Sequence, residues 1–301
     1  MEKGFHQNQE PKKSIFRYPF LSYVAPVILF FLTICTTIVG GFFLVGNKFE
    51  FSMSLLKGIP YAVAIIIIIG AHALGHYIAA RICKVKAFFP YFIPSIDITG
   101  TIGAFTKMEW PILNRKALIK IFMAGPIAGF CVTWIILIIG LYFSEVVDRT
   151  TMPNNTMVLG DSLVMYVTQL AVFGRLPETK DIVLHPVAFA GWLGINYNFW
   201  HLLPIGKLDG GRLIYALWGY NVTRWVSIIT IIVLLIFGFI FSNGWFGMAI
   251  FGIFCIIKFR EQYPSERYDE PLEKSIWIFL AITVIIFIVS FMPKSFSMVA
   301  N

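Results

Sequence analysis

Residues 59–83 read IPYAVAIIIIIGAHALGHYIAARIC, 25 residues with no acidic side chain and a single Arg near the far end. A soluble helix cannot bury so long an apolar run, whereas about 18 such residues suffice to cross the hydrocarbon of a bilayer. Similar stretches occupy residues 23–45, 117–143 and 222–241, and shorter ones residues 186–203, 245–259 and 275–291. The composition agrees: 58% of residues are hydrophobic, 13% are charged, and the mean hydropathy is +0.78. The 301 residues are therefore counted in membrane spans, seven of them, rather than in soluble domains.

The formal charge is +8, yet Lys and Arg form no run, which argues against nucleic acid as a partner. With an N-terminus on the cytoplasmic side, 18 of the 24 Lys and Arg fall inside and 6 outside, the bias of the positive-inside rule. The four cysteines, Cys35, Cys83, Cys131 and Cys255, sit in or beside apolar runs without C-x-x-C spacing. They read as small buried hydrophobes rather than as a disulfide framework or a zinc site. The first apolar run follows a polar tail and has no small-residue cleavage site behind it, which argues against a cleaved leader.

Residues 84–116 break the helical pattern. Pro90, Pro94, Gly100, Gly103 and Pro111 disfavour helix, and DITGTIGAFTKM alternates as a strand or hairpin does. The stretch is too apolar for a free loop. Non-helical backbone at membrane depth is tolerated against protein or beside a wet cavity, so a membrane-associated β-hairpin between spans two and three is expected. Residues 144–185 form the longest polar stretch, with an amphipathic piece around 157–173. Pro204 ends span four; GKLDGGR and a short helix to Trp218 follow.

Polar chemistry in the apolar runs is sparse. His72 and His76 are four residues apart, hence on one helix face and able to share one metal ion. An isolated pair of this kind in a soluble helix is more often satisfied by internal hydrogen bonds. At membrane depth, ionisable groups are costly and usually have a partner and a function. A catalytic zinc needs a third protein ligand and an open position. Asp209 is the candidate, in LDGGR, although D-G-G by itself also reads as a turn.

Taken together, HALGHY, FFPYFIPS, GTIGAF, NRKALIKIFMAGPIAGF, HPVAFAGWLGINYNF and HLLPIGKLDGGR resemble, in order and spacing, the site-2 protease family of intramembrane zinc metalloproteases (peptidase M50-like). The resemblance runs from about residue 24 to residue 220. It implies one zinc ion (Zn2+) held by His72, His76 and Asp209, although iron or cobalt could take the same ligands. It implies cleavage of transmembrane-helix protein substrates within lipid, often the second cut in regulated intramembrane proteolysis. It also implies that the hairpin edge pairs with an unwound substrate, with Gly100, Thr101, Ile102, Gly103, Ala104 and Phe105 as candidate substrate-binding residues.

Two positions depart from the family pattern. Ala73 stands where H-E-x-x-H has its Glu, the general acid–base. That Glu is not a ligand, so metal binding should survive its loss. Asp97 and Glu109 flank the hairpin, off the motif helix, and are poor substitutes. His201 stands where the family has an Asn that orients substrate. It can donate a similar hydrogen bond, the expected role; it can also serve as a fourth metal ligand or simply pack. Asn198, one turn earlier, can take over the orienting role.

The reading is an all-α polytopic membrane protein with a polar tail at 1–20, a site-2-protease-like core at 21–260, and a charged loop with a last span at 261–301. It is expected to be multi-pass in a bacterial cytoplasmic membrane, in contact with lipids, and of unassigned oligomeric state. It is expected to bind zinc and hydrolyse little or nothing, Ala73 being either an inactivating substitution or the mark of a natural pseudoprotease. The rivals are a non-catalytic holder of transmembrane clients and a metal transporter. The clustering of the ligands argues against the transporter.

Overall fold

The computed structural model describes residues 19–45, 51–108, 112, 114–151, 157–241, 244–257, 271–294 and 296–298. Glu109 and most of the expected N-terminal tail lie outside them. Eight helices are described: α1 (Pro19–Val45), α2 (Phe51–Ile82), α3 (Arg115–Tyr142), α4 (Leu163–Phe173), α5 (Pro186–Leu202), α6 (Asp209–Ile240), α7 (Gly244–Ile257) and α8 (Lys274–Ser290). Four of them, α1, α2, α3 and α6, hold segments long and apolar enough to cross a membrane. Large hydrophobic side chains such as Phe31, Ile67, Ile135 and Phe239 stand exposed along these helices, as lipid-facing surfaces do.

The helix boundaries follow local chemistry. α2 begins at Phe51, not at residue 59, and runs through Pro60. Proline is tolerated inside membrane helices because neighbouring helices and local adjustments satisfy the freed carbonyl. α3 is capped by Asn114, whose side chain accepts from the N–H groups of Lys116 and Ala117. α5 starts at the His185–Pro186 pair; the His185 ring accepts from the Val187 N–H, and proline fits the first helical position. α6 is two rods rather than one. Gly219 has φ 81° and ψ −177°, which separates the segment carrying Asp209 from the longer segment behind it. That break lies just after Trp218, where the sequence places the end of a short helix.

Three two-stranded sheets complete the described residues. β1 (Tyr91–Pro94) and β2 (Thr101–Phe105) pair antiparallel, Tyr91 opposite Phe105 and Phe92 opposite Ala104. β3 (Glu145–Asp148) pairs with β5 (Lys180–Val183), and β4 (Met157–Leu159) with β6 (Phe296–Met298). The sequence offers only an amphipathic helix in this polar region. The β4–β6 pairing joins segments separated by almost half of the chain, which no local pattern records.

α3 packs against α2 on one side and α5 on another, with α6 and α8 also in contact. Its buried residues, including Leu118, Ile121, Phe122 and Leu137, are the centre of the core. Small residues set the spacing. A Cβ on Gly140 would overlap the backbone of Ala188 on α5, and one on Gly75 would sit 2.6 Å from the Ala124 carbonyl oxygen on α3. The hairpin is bound to the bundle from its turn: Thr36 Oγ1 of α1 donates to Gly100 O at 2.7 Å, and the Tyr61 hydroxyl of α2 donates to Thr99 O at 2.7 Å.

The cysteines differ from their sequence reading. All four are free thiols, but Cys35 and Cys131 are exposed and Cys83 and Cys255 half-buried. An apolar helix surface accommodates a small soft side chain as readily as a core does.

Gly140→Val forces α3 away from α5 and is expected to destabilise the bundle by about 1–3 kcal/mol, as overpacking does. Thermal unfolding of the purified protein in detergent reads this as a lowered midpoint. Gly247→Ala, where a Cβ meets nothing within 4 Å, is expected to leave the midpoint unchanged or raise it.

Candidate metal centre

Three helices bring the ionisable groups together. α2 supplies His72 and His76 from adjacent turns, 1% and 6% exposed. α6 supplies Asp209 as its first residue, also buried. α5 supplies His201 from its last turn, and this ring is partly exposed. Asp209 Oδ2 lies 3.1 Å from His72 Nε2, 3.2 Å from His76 Nε2 and 3.1 Å from His201 Nδ1. The two Nε2 atoms are 3.1 Å apart. Potential ligand atoms of His72, His201 and Asp209 all lie within 4.8 Å of one another.

Hydrogen-bond bookkeeping shows that this donor set suits a cation. His76 Nδ1 lies 2.9 Å from the backbone oxygen of Ile121 and can only donate there. A neutral imidazole that donates through Nδ1 presents a lone pair at Nε2. That lone pair faces a carboxylate oxygen and a second imidazole, an arrangement that is repulsive unless a positive charge lies between them. Fixing a metal-binding histidine by a bond from its other nitrogen is the usual outer-shell device. Two imidazoles and a carboxylate fit zinc, and the fold family implies the same metal.

The AGPIAGF stretch of α3 explains how the rings fit. A Cβ on Gly125 would overlap the His76 imidazole. A Cβ on Gly129 would sit 3.0 Å from His72 Nδ1 and 3.1 Å from Asn198 Oδ1. Those two buried atoms have no hydrogen-bond partner and face the same gap. At the other end, a Cβ on Gly210 would overlap the Leu202 carbonyl oxygen, so the glycines after Asp209 let α6 start directly under the end of α5. D-G-G is thus a close-approach device at a helix start, not a free turn.

Ala73 is 1% exposed and packs with Ile69 on α2 and with Phe92 and Ala104 of the hairpin. Its carbonyl accepts a bond from Thr106 Oγ1 at 2.8 Å, which fixes the segment after β2 to the motif helix. Asp97 is committed elsewhere: it binds Ser95, Thr99 and the Gly100 N–H in the hairpin turn. Asn198 is fully buried, its Nδ2 donating to Gly194 O at 3.0 Å within α5. In β2, Thr101, Gly103 and Ala104 are buried while Ile102 and Phe105 are exposed, and Gly100 packs against the α1 backbone.

Two residues that the sequence reading passed over border the site. Tyr197, one turn before His201, lies tilted at 4.3 Å from the His201 ring and edge-on at 5.5 Å from that of His72. Its hydroxyl lies 3.2 Å from the Ala104 nitrogen, which donates to it, and 3.3 Å from the Ala104 oxygen. Gly103, at φ 123°, leaves the space that this ring occupies. Arg212 stands over the Phe122 ring at 4.4 Å, and Phe122 in turn flanks His76. Its place one turn after Asp209 was the available signal.

This is a helical membrane fold with a histidine–carboxylate cluster that could hold a metal ion. Residues 60–242 match the family model described as Peptidase family M50, more than half of the chain, and the chain belongs to that family, the site-2 protease family. "Probable zinc metalloprotease EGY2, chloroplastic" from Oryza sativa subsp. indica is 30% identical over 242 residues, 77% of this chain and 42% of that protein. The protein of the same name from Arabidopsis thaliana is 32% identical over 175 residues, 56% of this chain and 30% of that protein. "Probable zinc metalloprotease EGY3, chloroplastic" from Oryza sativa subsp. indica is 28% identical over 278 residues, 86% of this chain and 46% of that protein. The chain spans less than half the length of these relatives. No solved structure matches it. The relatives are plant proteins named for the chloroplast and lend no support to the bacterial cytoplasmic membrane expected from the sequence; the apolar helices indicate a membrane protein.

Gly125→Ala pushes the His76 ring off its seat and is expected to weaken metal binding by about 10–100-fold, the scale of outer-shell losses. Gly129→Ala, whose Cβ only touches His72, is expected to weaken it less. Elemental analysis and competitive chelation of the purified proteins check the order.

Proposed function

We propose that this chain is a zinc-dependent intramembrane metalloprotease by descent that binds transmembrane segments of protein substrates but, as written, hydrolyses them little or not at all. The observation that supports the metalloprotease descent is the convergence of His72 and His76 on one carboxylate oxygen of Asp209. Zinc at such a site supplies Lewis acidity toward a carbonyl oxygen and toward water. The remaining work of a peptidase is proton transfer, and Ala73 offers no group for it. Asp97 is tied into the hairpin turn, and no other acid is in contact with the cluster among the described residues.

In this reading, α5, α7 and α8 join the four longer helices to make seven spans, with the N-terminus cytoplasmic. A helix of 17 residues, such as α5 or α8, extends about 26 Å at 1.5 Å per residue, close to the hydrocarbon thickness of about 30 Å. Residues 21–260 form the peptidase-like core, and the β1–β2 hairpin lies at membrane depth beside the metal. An unwound substrate segment enters along β2, whose Ala104 backbone faces Tyr197, the ring beside His72 and His201.

A second reading, a client-holding pseudoprotease, keeps the same groove and drops the chemistry. It is favoured by the apolar seat of Ala73 against Phe92 and Ala104.

Both readings predict that the unmodified, metal-loaded chain leaves a tethered transmembrane peptide intact. For an otherwise competent enzyme, Ala73→Glu is expected to raise cleavage by about 10²–10⁴-fold, the usual contribution of general acid–base catalysis. Product formation by gel and mass spectrometry measures it. An Ala73→Glu protein that binds metal and the peptide yet cleaves nothing leaves the client-holding reading.

A further inference from the structure

A catalytic zinc site keeps one position open, whereas four protein ligands make a closed, structural site. We propose that His201 is a fourth protein ligand, so that a metal in this chain is enclosed by His72, His76, His201 and Asp209 with no position left for water or substrate. The inference rests on the metal reading above and changes what the site is for, replacing the substrate-orienting role expected for His201.

The separations carry it first. Four donors around zinc at 2.0–2.1 Å in a tetrahedron stand roughly 3.3 Å from one another. Asp209 Oδ2 is 3.1, 3.2 and 3.1 Å from nitrogens of His72, His76 and His201, and the His72 and His76 nitrogens are 3.1 Å apart. Four of the six edges of such a figure therefore already have about the right length; His201 contributes one of them, its edge to His72 is at most 4.8 Å, and metal binding would have to draw it toward His76. On distance to the carboxylate, His201 cannot be told apart from the two motif histidines.

The seating of the ring carries it second. His201 is wedged between the Tyr197 ring at 4.3 Å and the His72 ring at 4.6 Å. Its position at the end of α5, three residues before Pro204, directs it at the start of α6. Its side chain is the most exposed of the four, 26% against 1% for His72 and 8% for His76 and Asp209, so it is the member of the cluster that solvent reaches first.

Chemistry then joins the two departures from the family pattern. Without a general base at position 73, an open coordination position has no catalytic use. Filling it with an imidazole converts a reactive centre into a clamp that ties α2, α5 and α6 together. Loss of the Glu and gain of the His become one change rather than two.

The test uses the full chain in detergent, loaded with Co2+, which accepts zinc ligands and absorbs in the visible. Azide, a small anion that binds open metal positions, is the probe. The chain as written is expected to show an azide-independent spectrum, and X-ray absorption to count three imidazoles. His201→Asn is expected to retain Co2+, lose one imidazole and acquire an azide-dependent spectrum. The proposal is overturned if the unsubstituted chain responds to azide or shows only two imidazoles, results that need no variant to fold. Asp209→Ala separates the two layers: Co2+ bound equally well without that carboxylate, or not bound by the parent chain at all, removes the metal reading and the fourth ligand with it. Asp209-dependent binding with an azide-sensitive parent spectrum removes only the fourth ligand.

Discussion

One carboxylate oxygen, Asp209 Oδ2, is the point on which the bundle closes. It lies within 3.2 Å of nitrogens from three histidines on two other helices. A buried carboxylate facing imidazole lone pairs is unfavourable without a compensating cation, because charge in a low-dielectric interior must be matched locally. The helix ends and the glycine seats hold that arrangement. Removing the carboxylate leaves three imidazoles converging on nothing.

The close approach of the helices is what makes the arrangement possible. Membrane helices gain little from hiding apolar surface from lipid and associate through packing, which favours small residues at their contacts. Gly125 and Gly129 on α3 are more than spacers: each lies under one ligand ring, so the same side-chain absence that lets α2 approach also fixes where its imidazoles sit. Gly210 does the corresponding work between α6 and the end of α5. The cluster and the packing are one feature at two scales.

Much of this was legible in the residues. Hydropathy marks the four long apolar helices, and motif order points to His72, His76 and Asp209, which the fold brings together. Ala73 was recognisable as a gap because the surrounding pattern is specific. Tyr197 was not legible, since an aromatic on a membrane helix has no local signature and its role depends on where Gly103 falls in three dimensions. The start of α2 at Phe51 is not legible because residues 51–58, FSMSLLKG, carry Ser52, Ser54 and Lys57 and read as a short loop before the apolar run. The pairing of β4 with β6 was beyond reach, being a contact between distant segments of three residues each. His201 was noticed as a departure, but its proximity to Asp209 depends on how the chain turns after Pro204.

The Tyr197 hydroxyl bears on the outward side of β2. It already satisfies the peptide N–H of Ala104 and lies beside its carbonyl. A foreign backbone arriving there would exchange partners with a phenol instead of finding vacant ones, and swapping one hydrogen bond for another is close to thermoneutral. If the proposed substrate route along β2 holds, selection among segments would then come from how their side chains fit around Ile102 and Phe105, and from how readily each gives up its own helix, rather than from the ladder itself.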